Sequence, residues 1–261
     1  AVPVFEVDRR GPAAAERLPR LWVTEPAFDP QSGERAGRAY VGAYPTDPDR
    51  GGWRAFDLAS RYFAEGLGGC GAEGAEADQH RIDCFRAAEV LYLHSARRGN
   101  LKAWVKLGTI YAFDMAEGRY WQGLLESRAA HCFVEPARKA FACFSRAALA
   151  GDAEGCWQLG DLLAAGRGCA RDDRRAFTLY TRALLHGANA EQQGLAALRL
   201  ARCFEGARGC SLDLGKAQAL YRWAAERLQE AFGDGQWHCK RELHEARTGA
   251  ARMAQELHGG Y

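Results

Sequence analysis

Nine cysteines and seven histidines are the most reactive side chains in this 261-residue sequence, so catalysis and metal binding are the first chemistries to test. His131-Cys132 and His238-Cys239 each set two metal-capable groups side by side. Neighbours on a helix point about 100° apart, and no second pair stands at zinc-finger spacing, so no metal site is expected. No CxxC occurs, and nothing in the order of residues puts a thiol beside an imidazole as a nucleophile requires. Cys156 and Cys203 fall in apolar helical stripes, where a thiol packs as a small hydrophobe. The run Gly66-Leu67-Gly68-Gly69-Cys70-Gly71 matches a dinucleotide fingerprint but comes after a helical pattern rather than a strand. Gly215-Lys216-Ala217 lacks both the upstream glycine and the Ser/Thr of a phosphate loop. No catalytic residue and no cofactor are therefore expected.

The elements that would position such groups are helices. The chain holds 49 alanines and 30 arginines against 5 lysines, and alanine and arginine are strong helix formers. The same bias points to a GC-rich, bacterial source. Seven of eight prolines precede residue 50, leaving a proline-poor body after a punctuated start. Net charge is only +2, which gives no pull toward nucleic acid. No run of about 18 apolar residues exists, so no membrane insertion by a helix is expected. The odd cysteine count suits reduced thiols in the cytoplasm. Export, with a leader lying outside this sequence, is the alternative.

Self-similarity organises the body. Leu159-Gly160 through Gly166-Arg167-Gly168-Cys169 to Asp172 returns as Leu200-Ala201 through Ala207-Arg208-Gly209-Cys210 to Asp213, without a gap. Each leads into a matching helix start, Arg175-Ala176 to Tyr180 and Lys216-Ala217 to Tyr221. Further copies of that start are Lys139-Ala140 to Phe144 and Arg86-Ala87 to Tyr92. Each unit reads as two helices: helix A carries the aromatic, helix B the Leu-Gly. Glycines Gly99, Gly151 and Gly187 are expected to end helix A in a left-handed cap. The glycine of Leu-Gly permits close crossing, and Asp172 and Asp213 should cap the next helix A. Such pairs bury their apolar stripes only by stacking.

This pattern resembles the Sel1-like repeat, a relative of the tetratricopeptide class, most strongly over residues 139–225 and well over 84–113. The resemblance implies an all-α fold, an α/α superhelical solenoid of helix pairs with a non-repeat N-terminal arm. Some cysteine-rich relatives are linked to β-lactam binding and hydrolysis, but no Ser-x-x-Lys occurs here. Those relatives also pair cysteines between helices A and B at an eight-residue step. Here Cys156 occupies the second position and Ala148 the first, so that disulfide cannot form.

The expected organisation is a proline-rich arm or irregular segment over 1–50, then about four repeats over 51–261 with a terminal helix at 236–258. Inserts fall near 66–80 and 115–135, the second bearing Tyr120 and Trp121. Insertions in solenoids gather on one face and often bind. Two residues after the core aromatic stand His94, Arg146 and Arg182, then Trp223. The resemblance puts helix A on the concave surface, so these would form a ladder able to clamp carboxylates. The leading function is a non-catalytic scaffold for a protein or peptide partner, an acidic peptide suiting the arginines. Its binding residues would be His94, Arg146, Arg182, Trp223, Tyr120 and Trp121. Alternatives are a β-lactam or cell-wall-ligand binder or hydrolase, and a self-associating structural module. Oligomeric state stays open.

Overall fold

The structure, a computed structural model, describes residues 22–28, 35–43, 51–68, 75–115 and 134–258. The chain divides into two compact units, Ala1–Ala103 with Phe113–Leu125, and Trp104–Ala112 with Glu126–Tyr261.

The first unit opens with an antiparallel pair of strands, β1 (Trp22–Phe28) and β2 (Arg35–Ala43), where the sequence suggested an arm or irregular segment. A two-stranded sheet has only edge strands, so Pro26 can sit opposite Arg38 without removing an interior ladder bond. Helices α1 (Trp53–Gly68) and α2 (Ala75–Arg97) come next. Their seam is aromatic: Phe56 and Phe63 pack against Tyr92, and Phe63 against Phe85. Tyr92 is fully buried, and its hydroxyl lies 3.1 Å from Ser60 Oγ. Burial pushes the Tyr92 hydroxyl up to about 12, with the Ser60 contact acting the other way.

The helix α3 (Leu101–Ala112) begins in the first unit and continues in the second. The second unit then contains α4 (Val134–Leu149), α5 (Ala153–Ala165), α6 (Asp173–His186), α7 (Ala190–Glu205), α8 (Leu214–Gly233) and α9 (Lys240–His258). Each of α4 to α9 packs on its sequence neighbour, while α7 also meets α5 and α9. This is the α/α solenoid pattern, with α4, α6 and α8 as A helices and α5 and α7 as B helices.

The repeated residues make repeated joints. A Cβ at Gly160 would lie 2.5 Å from the Tyr180 ring, and one at Gly108 would collide with Phe144 in the same way. Asp172 and Asp213 cap α6 and α8, accepting from the amides of Arg175 (2.9 Å) and Lys216 (2.8 Å). Gly151 ends its A helix at φ 87°, as expected, but Gly187 has φ −60°. The helix-A glycine is followed by the next repeat leucine after eight residues at Gly151 (Leu159) but after 13 at Gly187 (Leu200), and the inserted residues explain the change: Asn189 caps α7, and Gln193 donates to the Gly187 carbonyl at 3.0 Å. The terminal helix also rejoins the pattern. It lacks Leu-Gly, yet a Cβ at Gly249 would lie 2.7 Å from the Tyr221 ring.

Candidate functional site

The expected ladder is only partly a surface. His94 belongs to the first unit and is 5% exposed, so its ring is not presented to a partner. Beside it Ser95 Oγ donates to the Gly52 carbonyl at 2.6 Å, fixing the Gly51-Gly52 turn against the end of α2. Tyr120 and Trp121 lie outside the described residues. The other three residues lie in the second unit at one repeat position, each two residues after a buried aromatic. Two residues turn a helix by about 200°, so the aromatic faces the core and the residue two places on faces outward.

Arg146 is exposed, and its guanidinium stacks on the Trp104 ring with 4.3 Å to the centroid. Arg182 is half-buried and Trp223 is 37% exposed. Leu149 and Leu185, one turn beyond the two arginines, are 80% and 77% exposed. Sequence reasoning missed these leucines, although the spacing Arg-x-x-Leu recurs in both helices. Neither Arg146 nor Arg182 forms an ion pair among the described residues.

The B-helix side is different, because its charges are engaged. Arg199 forms a forked pair with Asp161 (2.8 and 2.7 Å), donates to the Leu195 carbonyl and lies 4.1 Å over the Trp157 ring. Tyr180 donates to the same Asp161 at 2.8 Å. Burial raises the Tyr180 hydroxyl above its ordinary value, and the Asp161 charge adds to it. In the next repeat Arg202 pairs with Glu245, and Tyr221 donates to Glu205, which also holds Arg252. Where the aromatic is Phe144, Thr109 stands at the Asp161 position and bonds the Val105 carbonyl instead. A cavity of about 320 Å³ lies over this network, lined by Asp161, Tyr180, Arg199, Arg202 and Cys203. The Cys203 thiol is pushed up to about 12, first by burial and then by Cys210. Burial also raises Cys156, Cys169, Cys210 and Cys239, so these thiols are protonated and poor nucleophiles near neutrality. Cys156 Sγ lies 3.9 Å from the Ala148 carbonyl, so the two positions of the missing disulfide do face each other.

A second cavity, of about 240 Å³, is lined by Glu154, Glu191 and Glu242 together with Arg199, His238 and Trp157. His238 Nε2 is 2.7 Å from Glu191 Oε1, and burial holds Glu154 above the ordinary carboxylate range. The unit thus shows a recess with three glutamates near α7 and α9 and, on α4 and α6, Arg146 and Arg182 with no ion-pair partner among the described residues. No helix among the described residues is long and apolar enough to cross a membrane.

No family model matches the chain, and no curated protein matches it. Among solved structures it is similar to a Sel1 repeat protein from Oxalobacter formigenes, at 25% identity and a TM-score of 0.37, over 59% of this chain and 95% of that one. It is also similar to c5321, a protective antigen of uropathogenic Escherichia coli strains displaying an SLR fold, at 18% identity and a TM-score of 0.35. That match covers 78% of this chain and 45% of the other. By its own repeated motif, and by the helix pairs into which that motif folds, the chain is similar to the Sel1-like repeat proteins.

Proposed function

We propose that this protein is a non-catalytic interaction scaffold that holds an acidic segment of a partner protein across the A-helix surface of its second unit. One observation carries the reading. Arg146 and Arg182 share one repeat position and have no carboxylate partner among the described residues, whereas Arg199, Arg202 and Arg252 are all paired. A guanidinium stacked on an aromatic ring, as Arg146 is on Trp104, has lost much of its rotamer freedom before a ligand arrives. It presents a planar fork to a carboxylate. Leu149 and Leu185 add apolar contact beside each fork, and Trp223 offers an amphipathic anchor in the next A helix. In this unit the raised thiols Cys156, Cys169, Cys203, Cys210 and Cys239 are poor nucleophiles, which supports a binding role for it. Buried free thiols also suit a reducing, cytoplasmic setting.

Capture from a bacterial lysate tests this, with the native chain and an Arg146→Glu/Arg182→Glu variant of equal helix content as baits. The expected result is a partner with an acidic segment that the variant loses and that salt weakens. Equal recovery by both baits, or a partner that binds through a basic segment, would overturn the reading.

A further inference from the structure

In the first unit, Glu65 from the last turn of α1 reaches His80 and Cys84 on α2. Glu65 Oε1 lies 2.9 Å from His80 Nε2, and Cys84 Sγ lies 3.6 Å from the same nitrogen. All three atoms fall within 4.8 Å of one another. His80 and Cys84 are four apart, which stacks them on one helix face. One ring nitrogen therefore faces two lone-pair donors at once. If it carries a proton it can serve the carboxylate; if it does not, it can accept from the thiol but then opposes the carboxylate. A cation between the three satisfies all of them together.

The spacing suits zinc. Bond lengths of about 2.0–2.1 Å to nitrogen and oxygen and 2.3 Å to sulfur give tetrahedral edges of roughly 3.6 Å for N···S and 3.3 Å for N···O. The N···S distance already matches, and along the N···O edge the carboxylate needs to withdraw by a few tenths of an ångström. Glu65 can do so, since its side chain is 27% exposed. Cys84 is fully buried while the His80 side chain is 20% exposed, so the open corner of the tetrahedron faces water. Mixed thiolate, imidazole and carboxylate ligation favours zinc over magnesium or calcium.

We propose that Glu65, His80 and Cys84 bind one zinc ion, with water as the fourth ligand, and that the ion ties α1 to α2. Binding replaces the Cys84 S–H bond with an S–Zn bond and releases the proton to solvent, with no change of oxidation state. Adjacent His-Cys pairs stand out in the sequence, whereas a His and a Cys one helical turn apart do not, and the third ligand comes from another helix.

Cobalt(II) titration of the metal-free, fully reduced chain is the test. One equivalent should bring up a thiolate-to-cobalt charge-transfer band with the intense visible bands of tetrahedral cobalt, and zinc should bleach both. Cys84→Ser should abolish the charge-transfer band, while Cys156→Ser should keep it. Glu65→Gln and His80→Gln, which spare the buried thiol, should each weaken cobalt binding by at least the roughly 10–100-fold that loss of an outer-shell partner costs. Circular dichroism checks that every variant is folded. No charge-transfer band with excess cobalt would overturn the proposal. So would a band that survives Cys84→Ser, or affinities unchanged in both the Glu65 and His80 variants.

Discussion

Asp161 joins two side chains, and its loss should be felt by both. Removing it strands the Arg199 guanidinium, whose side chain is only 13% exposed, and takes the acceptor from the Tyr180 hydroxyl. A polar group left half-satisfied costs about 1–3 kcal/mol, so Asp161→Ala should lower the urea midpoint clearly. Arg171→Ala removes an exposed, solvent-screened pair with Asp173 and should leave the urea midpoint close to that of the native chain. Tyr92 makes a second residue-level prediction. Its raised pKa means that the folded state holds the phenolic proton more tightly than the unfolded chain does. Its contribution is therefore complete below the ordinary value of 10.0 and is lost as pH rises toward about 12. Two pKa units correspond to about 2–3 kcal/mol. Urea melts at successive pH values across that window should show the decline, and Tyr92→Phe should make it shallower, the remainder coming from the likewise raised Tyr180 and Tyr221.

The helix joints carry the fold at the next scale, and glycine makes them possible. Gly160→Ala drives a methyl group into the Tyr180 ring, where neither partner has room, and should destabilise by about 1–3 kcal/mol. Gly233 ends α8 with nothing within 4 Å of the added Cβ, so Gly233→Ala should be neutral or stabilising by up to about 1 kcal/mol. Thermal melts of the two variants should shift in opposite directions. These joints were legible in the sequence because the same residues recur at fixed spacing: Leu-Gly, the aromatic, and the Asp caps. The Gly187 conformation was not, because a local insertion gives this glycine new neighbours in Asn189 and Gln193. Neither was the β1–β2 pair, where prolines masked the strand signal. His94 shares its repeat position with Arg146 yet is buried, and the neighbouring Ser95 ties α2 to a turn 43 residues earlier in the chain. Repetition conveys what the units share, and single contacts between distant segments lie outside it.

At the scale of the molecule, a net charge of +2 gives no long-range field to speak of. Any attraction for an acidic segment must come from local, unpaired arginines, and these act over about 8 Å at physiological salt. Partner capture should therefore weaken between low and physiological salt, and the Arg146→Glu/Arg182→Glu variant should show little of this dependence. A pull-down at two ionic strengths measures it. The acidic recess at Glu154, Glu191 and Glu242 makes the opposite charge available elsewhere in the same unit, so orientation as well as affinity would be specified.

Gly249 gives α9 a role that its lost Leu-Gly signature conceals. It admits the Tyr221 ring as Gly160 admits Tyr180, while Leu243, Ala246 and Met253 face inward. The opposite face shows water Arg241, Arg247, Arg252 and Glu256. A stack of identical units offers each newcomer the surface it needs, and so has no intrinsic length. Here α9 accepts the joint on one face and, with arginines on the other, offers no second apolar seat there. Replacing that charged face with an apolar B-helix surface should make the chain bind further copies of itself, read as mass that rises with concentration in light scattering.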